Sequence, residues 1–537
     1  MSFSSPFPDV DIPEVSVFDL LFSNMNQADL DRVALIDTPG GARTTYGELI
    51  GQVNSTAGAL AGRGVGVGDV VGLLAPNSTA FAVAFHGTLR AGATVTTINA
   101  LFTAKDIAKQ LTDAKATTMI TVCALLQQAQ EAAQAVGIPP AHVIVLDGAG
   151  EAVSGHPNLE DLIGQGASAP TVDFDPTTHP AVLPYSSGTT ADPKGVILTH
   201  RNLAANIAQI RPLLAIDSDD KVLAILPFFH IYGMTVLLNA ALHARATLLV
   251  MPKFDLAEFL DNIQKYQVTY TFIAPPVAVA LAKHPLVDHY DVTSLRTVMS
   301  GAAPLDAELG NAVSRRLHVQ MIQGYGMSEL SPVSHCMPAD GGKEHFGDIA
   351  PLNSCGWPVP NTVNKIVDPV TGNEITYPTE GLSAPGELCV RGPNVMVGYL
   401  GNEEATKATI DSDGFLHTGD LAQVDSLGRI FIVDRLKELI KYKGYQVPPA
   451  ELEALLLTHP SIADTAVIGV PDDEGEEIPK AFIVRQFGTN IAEAEVIEFV
   501  ARHVAPYKKV RRVEFIDAIP KSASGKILRK DLRTTPS

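Results

Sequence analysis

The chain has 537 residues, 39 basic and 59 acidic side chains, a formal charge of -20, and 46% apolar residues. At roughly 100 to 200 residues per domain this excludes a single small binding module, and the apolar share excludes a disordered or fibrous chain. The acidic balance excludes a protein built to coat nucleic acid or anionic membrane, so an anionic ligand has to be met by local positive charge.

Met1 to Glu14 is acidic and broken by prolines, without the basic start and apolar core of a signal peptide. From Thr45 to about Val250 helical periods alternate with short β-branched runs. Ser78 to Ala91 predicts an amphipathic helix and Ala93 to Ile98 a buried strand, and similar pairs recur around Thr117 to Val122 and His142 to Leu146. Such βαβ logic predicts a parallel or mixed sheet covered by helices on both faces. The most apolar stretch, Val236 to Met251, is interrupted by Asn239, His243 and Arg245 and does not reach the roughly 20 residues that span a bilayer. Between Gly341 and Arg391 glycine, proline and asparagine become frequent, which predicts a β-rich subdomain with hairpins. The last boundary falls near Asp434-Arg435-Leu436-Lys437. Beyond it Pro449 to Leu457 and Ala492 to His503 read as helices, and Ala463 to Val470 and Lys480 to Val484 as strands. The expected class is α/β: a large N-terminal domain, 1–434, of helix-covered sheets plus the β-rich subdomain, then a small mobile α+β domain, 435–537. Cys123, Cys336, Cys355 and Cys389 show no C-x-x-C spacing, so neither a disulfide framework nor a zinc site is expected. The C-terminal Thr-Thr-Pro-Ser is not a peroxisomal address, and a reduced cytoplasmic setting is the default.

The strongest local signal is Tyr185-Ser-Ser-Gly-Thr-Thr-Ala-Asp-Pro-Lys-Gly195, after the apolar run Ala181-Val-Leu. Small residues let backbone N–H groups approach a phosphate, the hydroxyls of Ser186, Ser187, Thr189 and Thr190 add donors around Gly188, and Lys194 adds charge. It is not a Walker A loop, because Pro193 stands at the second glycine position and Gly195 replaces the following Ser or Thr.

Six further segments follow in order: Ser300-Gly-Ala-Ala-Pro-Leu305, Gln323-Gly-Tyr-Gly-Met-Ser-Glu329, Gly386-Glu-Leu-Cys-Val-Arg-Gly392, His417-Thr-Gly-Asp420, Asp434-Arg-Leu-Lys-Glu-Leu-Ile-Lys-Tyr-Lys-Gly444 and Pro520-Lys-Ser-Ala-Ser-Gly-Lys526. From about Thr45 to Arg529 the chain resembles the adenylate-forming superfamily of acyl-CoA synthetases, luciferases and peptide-synthetase adenylation domains. Leu226-Pro-Phe-Phe-His-Ile-Tyr232 and Lys441-Tyr-Lys-Gly-Tyr-Gln446 look similar to its 4-coumarate–CoA ligase branch.

The resemblance implies attack of a carboxylate on the α-phosphate of ATP, giving an acyl-adenylate and pyrophosphate, then displacement of AMP by the thiol of coenzyme A. Negative charge develops on oxygen in both steps, so positioned cations and donors should dominate catalysis. By the same resemblance the nucleotide is held by Ser186 to Thr190 with Lys194, by Ala302, Gln323, Gly324, Tyr325 and Ser328, by Asp420 at the ribose, and by Arg435, Lys437, Lys441, Gln446 and Lys526. Glu329 is implied as the Mg²⁺ ligand, a hard oxygen suited to that ion. Lys526 is implied as the cation of the first step and Lys441 of the second, with the small domain swinging about Lys437 between them. Lys253, Lys443 and Gly444 are implied to touch coenzyme A, and His230 to gate the acyl pocket lined by Tyr232, Asn239, Met299, Gly324, Gly326, Pro332 and Val333.

Two departures stand out: Met299 where hydroxycinnamate ligases commonly carry lysine, and Ala191-Asp192 where Gly-Leu is common. Expected partners are ATP, coenzyme A and a small aryl (cinnamate-like) or fatty acid, with no nucleic acid or integral membrane association, in a monomer or homodimer. Transfer of the acyl group to a carrier protein or to oxygen, and a nucleotide-binding regulator without chemistry, are the alternatives. Between Lys508 and Arg533 nine basic residues, Lys526 among them, stand against three acidic ones, a positive segment around Lys526. Lys194, Arg435, Lys437, Lys441 and Lys443 are expected to converge on one cleft.

Overall fold

Short β-branched runs become strands where both of their faces can be covered. In the computed structural model, which describes residues 2–148, 155–186, 193–443, 445–472, 477–522 and 525–534, Thr94–Thr97 is buried at every position and pairs in parallel with Val70–Leu74. Among the described residues that pair lies inside an eight-stranded sheet, continuing through Thr118–Thr121 and Val143–Val145 on one side and through Pro180–Val182, Lys194–Thr199 and Gly398–Tyr399 on the other. The parallel strands end in an antiparallel edge, so the sheet is mixed. A second sheet, of nine strands among the described residues, carries Lys221–Ala224, Tyr270–Ile273, Thr297–Ser300 and Gln320–Gly326 in parallel and continues through antiparallel Val333–Cys336 to the edge at Trp357–Pro358.

The helix Thr79–Arg90 starts at Ser78, whose side chain accepts from the Phe81 N–H, and stops at Ala91. It is not amphipathic in place. Every residue from Phe81 to Leu89 is buried, including His86 and Thr88, because the helix packs on all sides. The apolar stretch after His230 forms a π-helix, Tyr232–Asn239, an unusual winding often found beside functional sites. No helix among the described residues is long and apolar enough to cross a membrane.

The β-rich region is larger than its glycine and proline content suggests. Its five antiparallel strands run Phe3–Ser4, Val363–Val367, Gly386–Arg391, Leu416–Val424 and Ile430–Arg435, drawing in the start of the chain. After Arg435 a separate core gathers Ile440, Val447, Leu452, Ile462, Val467, Ala481, Ile483, Val496 and Val500. It fills the space between the helices Pro449–Leu457 and Glu493–His503 and the sheet of Ile462–Pro471, Glu477–Arg485 and Arg512–Phe515.

Candidate active site

The strand Gln320–Gly326 delivers the Gly-Tyr-Gly segment to the top of the second sheet. Gly326 is required there: a Cβ would lie 2.1 Å from the Pro332 carbonyl oxygen. Tyr325 follows the strand outward, and its hydroxyl donates to Asp420 Oδ2 at 2.5 Å. Asp420 stands on Leu416–Val424, opposite Arg435 in the antiparallel register, and Arg435 Nε lies 3.5 Å from Asp420 Oδ1. Burial raises the pKa of Asp420; Arg435, the Tyr325 hydroxyl and Lys526 act against that rise.

Past Gly326 a short 3-10 turn, Ser328–Leu330, places Glu329 in the interior at 5% exposure. Its Oε1 accepts from the Tyr399 hydroxyl at 2.9 Å. Lys194 sits over the same Tyr399 ring, its Nζ 4.7 Å from the centroid. Lys194 is anchored by antiparallel pairing with Ser186. Ser187, Gly188, Thr189, Thr190, Ala191 and Asp192 lie outside the described residues, as does Gly444.

Lys526 arrives from the small domain. A tight turn holds it, with the Gly525 N–H donating to the Ser522 carbonyl and the Ser522 N–H to the Lys526 carbonyl, both at 2.8 Å. Gly525, at φ +84°, abuts the large domain, where a Cβ would come within 3.2 Å of Ala274 Cβ. Enclosure and the Arg435 guanidinium lower the Lys526 pKa to about 8, against the pull of Asp420 and Glu329. His230 accepts from the Tyr232 N–H through Nδ1 at 3.3 Å, so a neutral ring carries its proton on Nε2. Burial, with Lys526 adding to it, lowers its pKa to about 3 and keeps it neutral.

Of the acyl-pocket candidates, Tyr232 belongs to an aromatic cluster and Met299 pairs with Phe272 of that cluster in the sheet. Tyr232 meets Phe272 edge-on at 6.3 Å, and Phe272 lies 5.0 Å from Tyr270. A Cβ on Gly301 would fall 2.8 Å from the Tyr232 hydroxyl, and one on Gly324 2.5 Å from Met299 Cε, so the glycines leave room that neighbouring side chains fill. The hydroxyl of Tyr232 and both amide atoms of Asn239 are buried without hydrogen-bond partners among the described residues. Val333 is buried next to Pro332, its N–H donating to Asn206 Oδ1 at 3.0 Å. Ala302 holds a left-handed φ of +70° at the turn after Gly301, a strained position for a non-glycine residue.

The convergence of five cations needs correction. Arg435 and Lys526 face the carboxylates and Lys194 reaches Glu329 only through the Tyr399 ring between them, whereas Lys437 is exposed after the last large-domain strand. Lys441, Lys443 and Gln446 are exposed on a hairpin, Ile440–Tyr442 with Tyr445–Val447, that packs against the small-domain strand Glu477–Arg485. There the Lys441 N–H donates to Glu477 Oε2 at 2.7 Å. Lys253 is exposed just beyond Thr247–Val250. The Gln323 side chain is occupied by backbone, accepting from the Leu305 N–H at 3.2 Å and donating to the Leu352 carbonyl, so it shapes the wall of the cleft. Tyr399 was not visible from the motifs, since its partner Glu329 lies 70 residues away.

Residues 21–400 match the AMP-binding enzyme family and residues 451–526 the AMP-binding enzyme C-terminal domain. The chain belongs to the AMP-binding enzyme family. It is 43% identical to 4-coumarate–CoA ligase 3 of Oryza sativa subsp. japonica over 99% of this chain and 94% of the relative. Among solved structures it resembles ATP-bound MatB from Rhodopseudomonas palustris, with TM-score 0.86, 29% identity and coverage of 97% of this chain and 98% of that one. It also resembles a benzoate CoA ligase from Burkholderia xenovorans LB400, with TM-score 0.85, 26% identity and coverage of 97% and 100%. Within the family the chain falls among the adenylate-forming enzymes similar to 4-coumarate–CoA ligases.

Proposed function

We propose that this AMP-forming acid–CoA ligase takes a flat aryl or cinnamate-like acid, with the residues gathered around Asp420, Glu329 and Lys526 carrying the first step. The carboxylate oxygen bonds to the α-phosphorus of ATP as the bond to pyrophosphate breaks; the thiol of coenzyme A then bonds to the acyl carbon and AMP leaves. Lys526 neutralises charge on the reacting oxygens, Lys194 meets the outer phosphates, and Arg435 with Asp420 orients the ribose end. Glu329 suits Mg²⁺: one carboxylate oxygen is fixed by Tyr399, and the other accepts no hydrogen bond from the described residues. The ion, when bound, offsets phosphate charge. We further propose that the small domain, from Arg435 onward, turns about Lys437 to exchange Lys526 for the hairpin of Lys441, Lys443 and Gly444 when coenzyme A reacts.

The observation that supports the acid class is the aromatic cluster of Tyr232, Phe272 and Tyr270, with Met299 beside Phe272 in the sheet and Gly301 against the Tyr232 ring. Aromatic acids pack favourably edge-on or offset against such rings, and the rice relative and the benzoate ligase are named for aryl acids. Met299 brings no charge to a phenolic hydroxyl, so 4-coumarate should gain less than about tenfold over cinnamate. Pyrophosphate release and thioester formation across benzoates, cinnamates and C6 to C18 fatty acids test the proposal. Aryl acids should lead in kcat/KM, and a lead by C12 to C18 acids would overturn it.

A further inference from the structure

Two of the ordered motifs, Gly386 to Gly392 and His417 to Asp420, leave Glu387 and His417 without a role in the chemistry above. They meet at an irregularity in the five-stranded sheet. The register between Gly386–Arg391 and Leu416–Val424 shifts between Glu387 and Cys389, where ladder hydrogen bonding is interrupted. Glu387 bridges that interruption with both oxygens: Oε2 lies 2.8 Å from His417 Nδ1, and Oε1 accepts from the Gly419 N–H at 3.0 Å. Gly419 takes a left-handed φ of +71°. Around it the Thr418 hydroxyl donates to the Leu388 carbonyl at 2.8 Å and accepts from the Asp420 N–H at 3.1 Å, and the Leu436 N–H donates to the Gly419 carbonyl at 2.9 Å. One carboxylate thus ties down the residues just before Asp420. The far side of the imidazole faces Asp411, with Nε2 3.6 Å from Oδ2; Lys365 pairs with the same oxygen at 2.9 Å, and buried Cys389 lies 3.5 Å from Nδ1.

We propose that Glu387 is a positioning residue for the nucleotide: its two-pronged grip on His417 and Gly419 sets the Gly419–Asp420 segment so that the Asp420 carboxylate meets the ribose hydroxyls. The inference rests on Asp420 being the ribose acceptor. Asp420 is otherwise aimed by Tyr325 and Arg435 at its carboxylate and by ladder pairing with Arg435 at its backbone, whereas Glu387 acts one residue earlier, on Gly419. Losing Glu387 leaves the Gly419 N–H without its acceptor and lets the bulge relax, at a cost comparable to one hydrogen bond.

The test is calorimetric binding of AMP and of 2′,3′-dideoxy-AMP to the full chain, with KM for the acid measured alongside. Wild type should prefer AMP. In Glu387→Ala that preference should fall about tenfold, equivalent to roughly 1.4 kcal/mol, with KM for the acid unchanged. Glu387→Gln, which keeps an oxygen for the Gly419 N–H, should recover the preference to within about threefold of wild type. Asp411→Asn, acting on the other side of His417, should leave it intact. Should the alanine variant not fold, Glu387→Asp, too short to reach both donors, must show the loss. An undiminished preference in the folded Glu387→Ala or Glu387→Asp variant, or an equal weakening of AMP and dideoxy-AMP, overturns the inference while leaving the ribose reading in place. A wild type that binds both nucleotides equally removes the ribose reading and the inference with it.

Discussion

Lys526 gives the most direct test of how the cleft works. Free in water a lysine stays protonated to about pH 10, but here enclosure and Arg435 bring its pKa down to about 8. Its charge is therefore lost as pH rises through 8. If that charge stabilises the reacting oxygens, kcat/KM for pyrophosphate release should be flat below pH 7 and fall about tenfold between pH 7 and 9, following the protonated fraction from roughly 90% to roughly 10%. The assay omits coenzyme A, so that its thiol does not titrate in the same range. His230 cannot supply the limb, because its pKa is lowered to about 3. Lys526→Arg keeps a cation that stays protonated, so the residual activity should lose the alkaline limb. Removing a neighbouring anion has a definite sign: Asp420→Asn takes away an attraction for the ammonium and should move the limb below pH 8. A limb near pH 10 in wild type, or one that persists at pH 8 in Lys526→Arg, would refute the assignment.

Other expected outcomes follow from single contacts. Tyr399→Phe releases Glu329 Oε1, and the Mg²⁺ concentration for half-maximal pyrophosphate release should rise about tenfold, as for other groups that orient a metal ligand. Gly326→Ala places a Cβ against the Pro332 backbone, which cannot swing aside, and should cost about 1 to 3 kcal/mol in urea unfolding. Gly324→Ala meets chiefly the flexible end of Met299, with the His335 carbonyl oxygen at a tight 3.3 Å, so folding should survive while kcat/KM for bulky aryl acids drops more than for benzoate.

What the sequence made legible was local. Ser78 and Ala91 bounded a helix to the residue, and Pro449 to Leu457 was read as the structure has it, because caps and proline act on neighbouring backbone. The buried strands from Thr94 to Val145 announced themselves by β-branched runs. Burial around the helix was not legible, since period alone does not tell how many neighbours a helix acquires. The candidate site divides the same way. Glu329, Asp420, Arg435 and Lys526 were flagged by motif and do meet in space. Tyr399 and the grip of Glu387 on Gly419 were hidden, because each joins segments that only the finished sheets bring together. Phe3–Ser4, paired with Val363 and Asn364, is the same case at the chain's start.

The net charge of -20 and the anionic substrates are reconciled in a particular way. Lys194, Arg435 and Lys526 do not form an uncompensated positive patch. Each is matched or faced by an interior group: Tyr399 beneath Lys194, and Asp420 and Glu329 about Arg435 and Lys526. Such a cleft holds its cations without ligand, at the cost of part of their field, which fits a site that must release pyrophosphate and AMP as well as bind ATP. It also bears on the proposed rotation. Moving the small domain would withdraw Lys526 from Asp420 and Glu329, lift Gly525 from Ala274, and break the hydrogen bond from Lys283 Nζ to the Leu457 carbonyl at 3.2 Å. The exposed hydrogen bond from Lys283 is worth about 1 kcal/mol or less, and the lowered pKa of Lys526 marks its place in the cleft as strained for a cation until phosphate arrives. ATP should then favour the arrangement with Lys526 in the cleft, and loss of pyrophosphate should weaken it, giving the two half-reactions their order from charge alone.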